Sequence, residues 1–168
     1  MRLLLSIFMT LTLAAVSRAD EAPRAVALEW SIVEGLLALG LTPAGAADIE
    51  GYRDWVGLKS EKLEDVAEVG RRQEPSIERI AALDPDLILG VDDRHAPHRE
   101  RFSAVAPTVL LQDEPPPGGD ALAFTRDYFH EIAAAVGREE EASAVVHQLD
   151  NTLADAKYTQ SILQLPTS

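Results

Sequence analysis

Short apolar runs recur along this chain, each followed by a helix-forming stretch, and nothing else in the sequence narrows the fold so far. The clearest run is "DLILGV" (residues 86–91), apolar almost throughout, as a strand covered on both faces must be. "AVAL" (25–28), "TPAGAAD" (42–48), "VAEVG" (66–70) and "TVLLQ" (108–112) repeat the theme with less force. Between them, "SIVEGLLALG" (31–40) reads as a helix with Ser31 and Glu34 as a capping box and Gly40 at its C-terminal end. "SIERIAAL" (76–83) aligns Ile77, Ile80 and Leu83 on one face, and "PHRERFSAVA" (97–106) is a further helix. Residues 49–62 read as a surface loop or short helix. A turn-rich "DEPPPGGD" precedes a long helix over 121–136, ended by Gly137; a more acidic helix follows from 138 to about 157, then a tail of mixed character. Strands alternating with helices predict an α/β fold: an open, mostly parallel sheet flanked by helices.

The first nineteen residues stand apart from this pattern. Arg2 precedes an apolar stretch over 3–16, and Ser17 and Ala19 set small residues where a signal peptidase cuts, so residues 1–19 read as a signal peptide. The apolar run is shorter than a membrane span requires. Cleavage there removes two arginines and no acid, taking the net charge from −13 to −15. That acidity argues against nucleic acid or anionic lipid as a partner. The chain has no cysteine, which excludes disulfides, thiolate metal sites, a cysteine nucleophile and a lipidated cysteine. The expected address is the periplasm, as a soluble monomer that is not membrane-embedded.

No phosphate-binding glycine motif follows a strand, and no nucleophile elbow accompanies the histidines. The chain is therefore read as a non-enzyme with no catalytic residue and no cofactor. "DDRHAPHRE" places His95 and His98 beside Asp92 and Asp93, directly after the strongest strand. As a metal site this spacing is weak; as a polar loop at a strand's C-terminal end it lies where open α/β sheets collect ligands. Phe102, Phe124 and Tyr128 fall within helices among apolar neighbours and read as core. Trp30, Tyr52 and Trp55 follow strands, on the edge that also carries Arg71, Arg72 and His95. Aromatic faces beside guanidinium donors make an amphipathic ligand surface.

In order, "AVALEWSIVEGLLALGLTPAGAAD", "YRDWV" and "VGRRQEPSIERIAALDPDLILG" resemble the periplasmic iron-siderophore binding proteins of ABC importers, above all the ferric-hydroxamate (ferrichrome) type. The likeness runs from about residue 24 to about 155. It implies two α/β lobes joined by a rigid helix, with a ferric siderophore in a shallow aromatic cleft between them and an inner-membrane ABC permease as partner. By that resemblance Arg72 hydrogen-bonds the iron-bound oxygens, Trp55 walls the cleft, and Glu78 docks onto the permease. Two departures stand out. The family's tyrosine after the "PDLI" strand is replaced here by Arg94 and His95, so ferric citrate, a catecholate, haem or a divalent metal ion is the alternative ligand. The chain is also about half the family's length. It is thus expected to be the N-terminal lobe alone (20–137) with the start of the connecting helix and an aberrant tail (138–168), the second lobe missing and ligand binding weakened.

Overall fold

The computed structural model describes residues 22–163, with side chains to 156; the expected signal segment lies outside the described residues. Five strands form one sheet: β1 (Ala25–Ala27), β2 (Gly45–Ala46), β3 (Ala67–Glu68), β4 (Leu87–Val91) and β5 (Thr108–Leu111). Their spatial order is β3-β2-β1-β4-β5 and every pairing is parallel, with Val26 opposite Ile88 and Gly45. The α/β expectation holds, with each anticipated strand in place.

Helices cover both faces, so consecutive residues of one strand serve two cores. Ala25, Ala27, Leu87, Leu89 and Val91 pack with α1 (Trp30–Ala38), α2 (Ile49–Trp55) and α6 (Ala121–Val136). Val26, Leu28 and Ile88 face the other way, onto Ile80 of α3 (Ile77–Ala82) and Phe102 of α5 (Arg99–Ser103). This explains the absence of polar alternation in "DLILGV": both strand faces are dry.

Three local expectations need correction. The N-cap of α1 is Glu29, without a side-chain capping bond, and the Ser31 hydroxyl pairs with the Tyr128 hydroxyl at 2.8 Å instead of closing a capping box. "DDRH" is not a loop but a helical turn, α4 (Asp92–His95), continued by a 3-10 turn over Ala96–His98. The last helix, α7 (Glu139–Leu163), runs past the expected stop near residue 157. Ala142 of α7 is fully buried with Ile132, Ala133 and Val136, so the core continues beyond residue 137. Gly137, at φ +67, ends α6 as expected.

Candidate functional site

The strand order reverses between β1 and β4. In an open α/β sheet the crevice outside the carboxyl ends of strands at such a switch point is where ligands bind. Here a charged cluster fills that edge, and each member stands just past the end of a strand.

Glu29 follows β1 and is nearly buried, its side chain 5% exposed. Its two oxygens accept from two guanidiniums: Oε1 from Arg72 Nη1 at 3.3 Å, Oε2 from Arg94 Nη1. Since Arg94 lies in α4 beyond β4, the Glu29–Arg94 pair bridges the switch point itself. Burial pushes the Glu29 carboxyl above its ordinary value, while Arg94 and then Arg72 pull it down and nearby Asp113 adds to the rise. Both guanidiniums nonetheless bond to it, one on each carboxyl oxygen.

Arg72 reaches this point from the loop after β3. Its Nε donates to Asp48 Oδ2 at 3.3 Å, and its guanidinium lies 3.6 Å above the centroid of the Trp30 ring. A cation stacked on indole is held by the ring quadrupole while its edge N–H groups stay free to donate. Trp30 is anchored in turn, its Nε1–H donating to the Asp48 carbonyl at 3.0 Å. A Cβ on Gly51 would come within 2.7 Å of Trp30 Cζ2 and Asp48 Oδ1, so only glycine lets α2 approach this closely.

Asp48 sits in the left-handed region (φ 58) and its own side chain does not cap α2. Glu68 of β3 supplies the cap: Oε1 accepts from Asp48 N and Gly70 N, and Oε2 from Ile49 N at 2.7 Å. The Asp48 carboxylate is thereby left for Arg72. The β3–α3 loop is closed by Glu74 N donating to the Arg71 carbonyl and Ser76 N to the Val69 carbonyl. Gly70 turns this loop at φ +107, where a side chain would be strained against Glu74 O, 3.1 Å away.

His95 locks the arrangement from beneath. Its ring is wholly buried: Nδ1 accepts from Val91 N at 3.0 Å, and Nε2 donates to the Arg72 carbonyl at 2.9 Å. That pairing requires the neutral Nε2–H tautomer. Burial depresses its pKa first of all, the Arg94 charge adds to this, and the two backbone bonds and Asp113 oppose it.

Of the sequence-predicted residues, Arg72, Trp30 and Arg94 meet in one cluster. Trp55, at the C-terminal end of α2, is 82% exposed, and Arg71 faces solvent. Tyr52 is not a ligand wall: its ring is buried in the core, its hydroxyl donates to the Leu58 carbonyl at 2.8 Å, and burial pushes its pKa up to about 12. His95 is likewise no exposed donor, since both ring nitrogens are committed to the backbone; it cannot also serve as a metal ligand. Among the described residues no group of three or more His, Asp or Glu could hold a metal ion. Glu78 is exposed in the first turn of α3, where its own backbone amide and the Ser76 hydroxyl hold its carboxyl below the ordinary value. Sequence reasoning missed Glu29 and Asp48. Each is the first acidic residue beyond a buried strand, a position that would have singled them out.

Comparison with known proteins agrees with the fold. The chain is 31% identical over 134 residues to the Fe(3+)-citrate-binding protein YfmC of Bacillus subtilis, covering 80% of this chain and 41% of that protein. It is 31% identical over 143 residues to the iron(3+)-hydroxamate-binding protein FhuD of Escherichia coli, covering 85% and 47%. Among solved structures, the Fe3+–Desferal-bound siderophore-binding protein FhuD of Vibrio cholerae superposes with a TM-score of 0.71 at 29% identity, covering 83% of this chain and 51% of that one. The chain therefore spans about half the length of the relatives it matches. Residues 25–163 match the model of the periplasmic binding protein family, and the chain belongs to that family.

Proposed function

We propose that this chain supplies one wall of a ferric-siderophore binding site, serving a binding protein that hands its cargo to an ABC importer for iron uptake. The observation that carries this reading is the Arg72–Trp30 stack at the switch point, with Arg94 beside it. A ferric siderophore presents iron-bound oxygens within an organic shell; guanidinium N–H groups suit the oxygens and indole faces suit the shell. Trp55 extends the apolar surface. A hydroxamate ligand fits best, because such oxygens accept hydrogen bonds without demanding net positive charge. Relatives are named for hydroxamate, Desferal and citrate ligands alike.

Trp30 lies at this edge, and Trp55 is exposed at the C-terminal end of α2, so tryptophan fluorescence is the readout. Ferrichrome is expected to quench that fluorescence saturably, and Trp55→Ala to weaken binding several-fold while shifting stability by less than about 0.5 kcal/mol, as for an exposed side chain. No quenching by ferrichrome, ferric citrate or a ferric catecholate would end the reading.

Glu78 is the proposed contact to the permease: exposed, ionised and remote from the Glu29 cluster in hydrogen bonding. Glu78→Lys is expected to leave ferrichrome titration unchanged and to weaken association with permease-bearing vesicles. Equal loss in both assays would show a folding defect instead.

A further inference from the structure

We propose that Glu29 and Asp48 are specificity-determining residues that tune this site toward charge-neutral ferric chelates and against anionic ones. This rests on the ferric-chelate reading above. Two arginines at the mouth of a crevice would ordinarily draw anions. Here each guanidinium is matched by carboxylate: Arg72 by Glu29 and Asp48, Arg94 by Glu29. Two cations face two anions, with Glu68 bonded to the Asp48 amide and the Asp113 charge acting on Glu29.

Hydrogen-bonding power is nonetheless retained. Arg72 commits its Nε–H and one Nη1–H to carboxylates, leaving three of its five N–H groups for a ligand. The cluster thus separates donor capacity from net charge. A neutral chelate meets oriented donors with no field to oppose it. An anionic chelate meets the same donors together with two carboxylates that repel it. Glu29 is nearly buried, so water screens its charge poorly.

The alternative role is purely structural, the acids merely holding the arginines in place, and the two roles predict different results. The chain is titrated by tryptophan fluorescence with ferrichrome, which is neutral, and with ferric citrate, which is anionic, at low and high salt. Glu29→Gln keeps the shape of the side chain and removes its charge. Asp48→Asn does the same at a half-exposed position where asparagine also tolerates the left-handed backbone, so it decides the matter even if Glu29→Gln does not fold. Each variant is expected to lower the ratio of ferric-citrate to ferrichrome dissociation constants about tenfold, as one charge at this range and an intermediate dielectric would do. The gain should shrink at high salt. If both affinities fall by the same factor, the carboxylates are only scaffolding and the inference is overturned. If the wild-type chain binds neither chelate, the ferric-chelate reading fails and takes this inference with it.

Discussion

Arg72→Ala is expected to weaken ferrichrome binding by at least about a hundredfold while leaving the fold intact. The guanidinium contributes a charge-assisted donor pair and a cation stacked on indole, together roughly 3 kcal/mol, and about 1.4 kcal/mol is a factor of ten. Its loss leaves Glu29 paired with Arg94, so no buried charge is stranded. The thermal transition should therefore move by only a few degrees. Arg72→Lys is the sharper test. It keeps the positive charge but not the planar fork, and a lysine cannot reach Glu29, Asp48 and the ligand together. Lysine should recover little of the lost affinity. Full recovery would mean that charge alone matters and that the stack on Trp30 is incidental.

His95→Ala should act on stability first and on binding second. It strips partners from two buried backbone groups, the Val91 amide and the Arg72 carbonyl, and opens a cavity against Phe102. An orphaned buried group costs about 1–3 kcal/mol, so a loss of about 3 kcal/mol is expected by chemical denaturation. The same bond places the Arg72 backbone, and ferrichrome affinity should fall as well. A pH profile separates this role from simple packing. The folded-state pKa of His95 is depressed below 6.5, so its contribution is fully present above pH 6.5 and is lost as pH falls through the lower folded value. Glu29 works in the opposite sense: its pKa is raised above 4.5, so its contribution is present below pH 4.5 and is lost as pH rises through the folded value. The difference between wild type and His95→Gln across pH 5–7 isolates the histidine. A wild-type stability curve parallel to that of the variant there would remove His95 from the switch-point lock.

Much of the architecture was legible because buried parallel strands leave a plain mark. "DLILGV" and "AVAL" have no polar alternation, and each is paired where the pattern put it. The edge carrying the site followed from connectivity, since residues just past parallel strands must gather on one side. Arg72 and Trp30 were placed there that way, while the choice of Arg72 over Arg71, and Arg94 itself, came from the family resemblance. Other features depend on distant partners and left no local mark. Ser31 has the spacing of a capping box, yet its hydroxyl turns to Tyr128, 97 residues away. Tyr52 follows a strand as a ligand aromatic would, but the helical turn of α2 points its ring inward. His95 reads as a free imidazole until the Arg72 carbonyl arrives from 23 residues upstream. In a chain with 28 acidic residues, Glu29 and Asp48 do not stand out by composition; only their place at strand ends separates them from a solvated surface.

Backbone amide NMR of the chain, titrated with gallium(III) ferrichrome as a diamagnetic stand-in for the ferric complex, tests the central claim most directly. The largest shifts should fall at residues 29–30, 48–55, 70–72 and 91–95, with the Trp30 indole N–H among them. Shifts confined instead to the apolar cavity of about 340 Å³ between α1, α6 and α7, lined by Leu58, Phe129, Val145 and Leu149, would contradict it.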